Sequence, residues 1–296
     1  MKILLLGKNG QVGSELQTSL ASLGTLAAWD RRDLDLSSPD SIRKEIRNLQ
    51  PSVIVNAAAY TAVDKAESEP DLAMTVNGIA PGIMAEEAKR LNALLVHYST
   101  DYVFDGTRSS PYAEQDITNP LSVYGRSKLA GEQAIVAQAT RSLIFRTTWV
   151  YDAHGKNFLN TIKRVGAQRP ELTIVDDQIG APTWSREIAR ATARAIALYL
   201  AHPDQERLNG IYHMTAQGQT SWFGFAQAAA NCGLFAGLDH APALRAIPGT
   251  EYPTPAKRPM YSVLSNAKLL GQFGIQLPDW KESLKKCLGS DKTTGD

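Results

Sequence analysis

Tyr124 and Lys128 stand four residues apart in the run Tyr124-Gly125-Arg126-Ser127-Lys128. On a helix this spacing puts both on one face, about 5–6 Å apart at Cβ. A neighbouring ammonium favours the phenolate and draws the phenol down from its usual pKa near 10, so the tyrosine becomes a usable acid or base. Pairs at this spacing are common by chance on protein surfaces, so position decides. This pair falls one helix length after the apolar run 94–98, which leads into Ser99-Thr100-Asp101-Tyr102. At the carboxyl end of a strand, the Thr100 hydroxyl could share a hydrogen bond to a carbonyl oxygen with Tyr124. The same four residues also read as a strand-end turn with hydroxyl capping.

A second group lies near the start. Gly7-Lys8-Asn9-Gly10-Gln11-Val12-Gly13 follows an apolar run and opens a helical pattern. Glycines permit a tight turn and close approach of a pyrophosphate, which the free N–H groups of a helix N-terminus attract. The spacing G-x-x-G-x-x-G departs from the usual G-x-G-x-x-G, and a bare strand-to-helix turn is the alternative. The next apolar run ends in Asp30-Arg31-Arg32. An acid there suits the ribose hydroxyls of NAD, and an arginine suits the 2′-phosphate of NADP. Both are present, so NADH and NADPH stay open, as does a merely solvated charged turn. Asp35-Leu36 follows, placed for the adenine end. Asn56-Ala57-Ala58-Ala59-Tyr60-Thr61 ends another run, with small residues that would let a cofactor lie close or simply pack a loop.

These groups need a scaffold. Apolar runs at 3–6, 26–29, 53–55, 94–98 and 143–145 read as strands buried on both faces. Helical patterns separate them at 11–22, from Ser38-Pro39 onward, at 71–91 with an interruption near Pro81-Gly82, and at 124–139. The fold class is therefore α/β: a Rossmann-type, doubly wound parallel sheet, with ligands outside the carboxyl ends of the strands. After Trp149 the alternation stops and proline and glycine thicken, although 186–202 still reads as a helix. The expected division is a dinucleotide-binding domain over 1–149, a smaller, mainly substrate-binding domain over 150–288, and a polar tail over 289–296. Part of the second stretch, about 185–215, is open to returning to the first domain.

The chain has 296 residues with 31 basic and 30 acidic side chains. That balance argues against a nucleic-acid surface. Two cysteines, Cys232 and Cys287, are too few for a disulfide scaffold. Only four apolar residues, 3–6, follow the start, fewer than a signal peptide needs, and the run 188–201 is broken by Arg190 and Arg194. No membrane partner and a cytoplasmic location are expected.

The stretches GKNGQVGSEL, VIVNAAAYTAVDKAE, VHYSTDYVFDG, PLSVYGRSKLAGE, RTTWVY, QIGAPT and YPTPAKRP resemble the extended short-chain dehydrogenase/reductases. More narrowly, they resemble the dTDP-4-dehydrorhamnose reductase family, nearly to residue 288. The resemblance implies NAD(P)H-dependent reduction of the C4 ketone of a dTDP-sugar, with Thr100, Tyr124 and Lys128 as the catalytic set. It implies cofactor contacts at Gly10, Gln11, Val12, Asp30, Asp35, Leu36, Ala59, Tyr60, Thr61 and Tyr98, and sugar-nucleotide contacts at Thr100, Asp101 and Trp149. It raises Mg²⁺, held by glutamates at a dimer contact. Glu15 suits that role, but Arg186 stands where a second acid would be wanted, so the metal ligands stay unassigned, as does the choice between monomer and homodimer. A dehydratase or epimerase of the same fold, or a dinucleotide-binding regulatory subunit, is the alternative. Dehydratases of this fold carry Thr-Asp-Glu at the strand end where this chain has Thr100-Asp101-Tyr102, and a regulatory subunit would be expected to lose the Tyr124/Lys128 pair.

Overall fold

The computed structural model describes residues 1–290. The expected tail lies outside the described residues from 291 onward. In the amino-terminal half, β1 (Lys2–Leu6), α1 (Gln11–Leu20), β2 (Thr25–Trp29), α2 (Pro39–Leu49) and β3 (Val53–Asn56) follow one another. Then come α3 (Val63–Ala66), α4 (Pro70–Met74), a π turn (Thr75–Ile79), α5 (Ala80–Leu91), β4 (Leu94–Thr100), α6 (Val123–Ala137) and β5 (Ser142–Thr147). The runs of the inner strands are mainly apolar because both faces are covered, while β2 at the sheet edge is only partly buried. Ile3, Val55, Val96 and Phe145 pack toward α1, while Leu4, Ile54, Leu95 and Ile144 pack toward α2 and α5.

The interruption expected near Pro81 sits upstream, at the π turn. Proline has no N–H and its ring crowds the carbonyl four residues back, here that of Asn77, so the preceding turn widens. The widened turn has a use. The Asn77 side chain accepts from the Tyr60 amide at 2.8 Å and donates to the Tyr60 carbonyl at 3.0 Å, which fixes the loop after β3.

The second half contains β6 (Val150–Tyr151), α7 (Phe158–Gly166), β7 (Glu171–Val175), β8 (Ile179–Gly180), β9 (Thr183–Trp184), α8 (Ser185–Ala201) and β10 (Gly210–His213). After them come β11 (Thr220–Ser221), α9 (Trp222–Asn231), β12 (Ala243–Ile247), α10 (Ala267–Phe273) and α11 (Trp280–Ser290). The main sheet has six strands in the order β10-β5-β4-β3-β1-β2, and its pairings are parallel. Strand order reverses between β1 and β3, which opens a crevice at their carboxyl ends. Helix α8 packs on α1, so Ile188, Ile196 and Tyr199 join the core beneath that face. A separate core gathers Tyr151, Leu159, Trp184, Phe225 and Trp280 around the remaining elements. Among the described residues, no helix is long and apolar enough to cross a membrane.

Candidate active site

The glycine turn is built as its residue types require. Gly7 has φ +86°, and a Cβ there would come within 2.7 Å of the Ala58 nitrogen. A Cβ on Gly13 would stand 2.0 Å from the Gly7 carbonyl oxygen, so α1 meets the turn at a distance only glycine allows. Gly10 caps α1 with no side-chain acceptor, leaving the first amides of the helix, Gln11 to Gly13, open at the crevice. Gln11 turns its side chain toward the second half and accepts from Asn157 at 2.9 Å.

Asp30 sits at the end of β2. It accepts from the Asn9 side chain at 3.0 Å and from the Arg32 amide and guanidinium at 2.8 and 3.1 Å. These bonds, those from Arg32 above all, hold its carboxyl far below the usual range, so it stays ionised. Lys8 bonds Asp33 at 2.6 Å and stands 3.7 Å from Asp30, while Arg31 reaches Asp35 at 3.5 Å. The composition of the run 30–32 therefore becomes one charged cluster, to which Lys8, Asn9 and Asp33 belong without having been singled out. Leu36 buries its side chain with Leu34 and leaves only backbone for a ligand. Ala59, Tyr60 and Thr61 lie on the loop held by Asn77, and Tyr60 donates its hydroxyl to Glu69 at 2.6 Å.

Strand β4 delivers the reactive groups. Thr100 donates to Asp101 Oδ1 at 3.0 Å, and Thr148 donates to Asp101 Oδ2 at 2.7 Å. Tyr124, on the first turn of α6, sets its ring edge-on to Tyr102 with centroids 5.6 Å apart. Ser122 starts α6 by accepting the Gly125 amide at 3.1 Å. A Cβ on Gly125 would meet the Tyr102 carbonyl oxygen at 2.3 Å, so the helix can approach the strand end only with glycine there. Lys128 is buried and donates to the Tyr98 carbonyl at 2.6 Å. The Tyr98 phenol points to the other face of the sheet, at 2.6 Å from the Thr192 hydroxyl.

The Tyr124 phenol departs from expectation. Instead of being drawn down by Lys128, it stands well above its ordinary pKa because burial disfavours the phenolate; Thr100 hydrogen bonding opposes this. At neutral pH the phenol therefore keeps its proton. Burial also pushes Asp101 up to about 6, against the hydrogen bonds from Ser262, Thr148 and Thr100. An acid whose folded pKa exceeds its unfolded one, near 4, costs stability as pH rises between the two, and the cost persists above them. Asp101→Asn is therefore expected to raise stability at pH 7.5 by about 1–3 kcal/mol and to leave it little changed at pH 4. Thermal melts at the two pH values check this, and a gain of equal size at both would contradict it.

Beyond the strand ends lies a cavity of about 540 Å³. Phe158, Trp222 and Tyr252 give it aromatic walls, and Arg169 and Arg258 are its cations. Arg258 donates to the Tyr102 hydroxyl at 3.2 Å and pairs with Asp64 at 2.8 Å. The cavity is thus joined to Tyr124 through Arg258 and Tyr102. Trp149 stands beside it in the left-handed region, φ +46°, a costly conformation for a bulky residue. Its ring stacks on Trp222 with centroids 3.5 Å apart and lies against Gly180, where a Cβ would come within 2.5 Å. Trp222, Phe158 and Arg258 come from distant segments, and only Arg258, within YPTPAKRP, belonged to a motif.

The glycine cradle and the ionised Asp30 fit a dinucleotide. The expectation of Mg²⁺ does not fare so well. Both Glu15 oxygens take the Arg186 guanidinium, at 3.1–3.2 Å. Among the described residues no group of three His, Cys, Asp or Glu side chains could hold a metal. Within one chain, Glu15 is thus engaged by Arg186, and nothing among the described residues supports a bound Mg²⁺.

Residues 1–292 match the family model described as the RmlD substrate binding domain. A dTDP-4-dehydrorhamnose reductase of Burkholderia thailandensis is 50% identical over 97% of this chain and 98% of its own. The crystal structure of a dTDP-4-dehydrorhamnose reductase from Clostridium acetobutylicum superposes with a TM-score of 0.90 at 38% identity, covering 99% of this chain and 100% of that one. That of a dTDP-4-dehydrorhamnose reductase from Bacillus anthracis in complex with NADP gives 0.86 at 33% identity, covering 98% and 99%.

Proposed function

The chain belongs to the RmlD substrate-binding-domain family, and from that premise we propose that it reduces the C4 ketone of dTDP-4-dehydro-L-rhamnose to dTDP-L-rhamnose with NAD(P)H. The observation that carries this reading is that Thr100, Tyr124 and Lys128 come to the carboxyl half of β4, with Thr100 bonded to Tyr124 and Lys128 bonded to the Tyr98 carbonyl. Gly7, Gly10, Gln11, Val12 and Gly13 would hold the pyrophosphate, Asp30 and Arg31 the adenosine ribose, Asp35 and Leu36 the adenine, and Ala59, Tyr60, Thr61 and Tyr98 the remaining length. When bound, the coenzyme would supply hydride chemistry.

The protein's own residues supply the rest. Thr100 and Tyr124 bond the C4 oxygen, and Tyr124 gives it the phenolic proton as negative charge develops there. Lys128, in its charged form, stabilises the phenolate that remains. Asp101 and Trp149 border the sugar. The thymidine part suits the aromatic walls of the cavity, and Arg258 is placed for the diphosphate. Incubation with dTDP-4-dehydro-L-rhamnose and NADPH tests the reading: dTDP-L-rhamnose must form as coenzyme is oxidised in equal amount. Coenzyme binding without turnover would favour a sensor.

Both coenzymes are expected to serve, because Asp30 and the arginines beside it favour opposite partners at one ribose. Replacing Arg31 and Arg32 together by alanine should weaken NADPH roughly tenfold or more, since bonds to a charged group contribute about 1.5–3 kcal/mol, and NADH much less. Titration of each coenzyme checks this. An equal loss for both would remove the arginines from the site.

A further inference from the structure

Two polar side chains stand among the apolar residues of β3 and β4, Asn56 at the end of its strand and His97 in the middle of its own, and the reaction as derived uses neither. Asn56 and His97 are opposite each other in the parallel register, and each is 1% exposed. Asn56 Nδ2 stands 3.1 Å from His97 Nδ1, and His97 Nε2 stands 3.2 Å from Lys128 Nζ. The other end of the line is anchored as well, because Asn56 Oδ1 accepts the Ala58 amide at 3.2 Å. One chain of hydrogen bonds thus runs from the loop after β3, through a buried asparagine and histidine, to Lys128.

The chain has a direction. An amide N–H can only donate, so Ala58 fixes the Asn56 oxygen and turns its NH₂ toward His97 Nδ1. Nδ1 must then accept. His97 is held well below the ordinary imidazole range by burial and by the Lys128 charge, so it is neutral and carries one proton, which falls on Nε2. That proton faces Lys128. An ammonium has no lone pair to receive it, whereas an amine has one and can still donate to the Tyr98 carbonyl. Burial draws Lys128 down to about 8, within reach of either state.

We propose that His97 is the positioning residue for Lys128 and that its tautomer is set jointly with the Lys128 proton. With the proton on Nε2, Lys128 is the amine. When Lys128 takes up a proton, the His97 proton moves to Nδ1, Nε2 accepts from the ammonium, and the Asn56 carboxamide turns its oxygen to Nδ1. One proton enters at Lys128, His97 still carries one proton, and the number of N–H bonds elsewhere is unchanged. The turn of Asn56 gives up the Ala58 amide, on the loop proposed to flank the coenzyme, so loop and lysine charge are linked. The other ionisable groups are Tyr124 and Glu132 on the same helix as Lys128, Arg146 on β5, which neutralises Glu132, and Asp101 after β4, which acts on Tyr124. The importance of the link rests on the reading of Lys128 as a member of the catalytic set.

The test uses ligand-free protein. Nitrogen-15 spectra of the His97 ring, assigned by their loss in His97→Met, are followed with pH alongside the carbon-13 shift of Lys128 Cε. The expected result is a change from the Nε2–H to the Nδ1–H tautomer in step with Lys128 protonation. His97→Met is expected to lower the Lys128 pKa by about one unit, because the buried ammonium loses a charge-assisted acceptor, a stronger bond than the neutral one the amine loses. His97→Gln, which keeps a donor and acceptor near that position, should restore part of the difference. One unchanging tautomer across the Lys128 titration overturns the proposal, as does an unmoved Lys128 pKa in a folded His97→Met. If that variant does not fold, the wild-type spectra still decide. Neither measurement needs turnover, so failure of the proposed reaction would show separately, as absent product with the coupled titration intact.

Discussion

Tyr124→Phe is expected to bind coenzyme as the wild type does and to lose turnover by about 10²–10⁴-fold. The ring stays, so its edge-on contact with Tyr102 and the packing of α6 stay. What disappears is the one positioned proton donor at the strand end. Thr100 does not replace it, because its hydroxyl, after turning from Asp101 to the C4 oxygen, only shares a hydrogen bond there, and an alcohol gives up its proton far less readily than a phenol. Substrate KM should change little if the phenol acts mainly in the transition state. Activity within threefold of wild type would remove Tyr124 from the chemistry.

The largest loss of stability is expected at Glu132. Its carboxylate meets the Arg146 guanidinium with two bonds, at 2.9 and 2.7 Å, both side chains being nearly inaccessible. This pair fastens α6, which carries Tyr124 and Lys128, to β5. Glu132→Leu strands a buried cation and should cost about 3–5 kcal/mol. Replacing Arg146 by methionine as well removes the stranded charge and should recover most of that loss, because two charges no longer have to leave water. Denaturant melts of the single and double variants check both statements. A single variant within about 1 kcal/mol of wild type would contradict the argument.

Local chemistry made much of this legible. Four of the five apolar runs of the first half are strands covered on both faces, whereas the run 26–29 is the partly exposed edge strand β2, and the glycines at 7 and 13 are where backbone approaches backbone. The proline at 81 signalled a disturbance but not its side, because the clash falls on a carbonyl four residues earlier. The environment of Tyr124 was not legible. The spacing to Lys128 fixes their common face, yet burial, which no spacing reveals, decides the direction of the phenol's pKa. Two of the aromatic walls also escaped, since Phe158 and Trp222 meet Tyr252, which lies within YPTPAKRP, only through the packing of the second half. His97 and Asn56 did leave a signal, as polar residues within and directly after apolar runs.

A reductase needs only a hydride and one proton, whereas eliminating water across C5–C6 also needs a base for the C5 proton. The position after Asp101 holds Tyr102, a phenol held above its ordinary pKa by burial, and therefore no base. The most direct measurement is turnover of dTDP-4-dehydro-L-rhamnose with coenzyme deuterated at the transferred position. The account predicts deuterium at C4 of dTDP-L-rhamnose and nowhere else, with coenzyme consumed in equal amount. Conversion of dTDP-glucose to a 4-keto-6-deoxy sugar nucleotide, or inversion at C4 without net consumption of coenzyme, would contradict it.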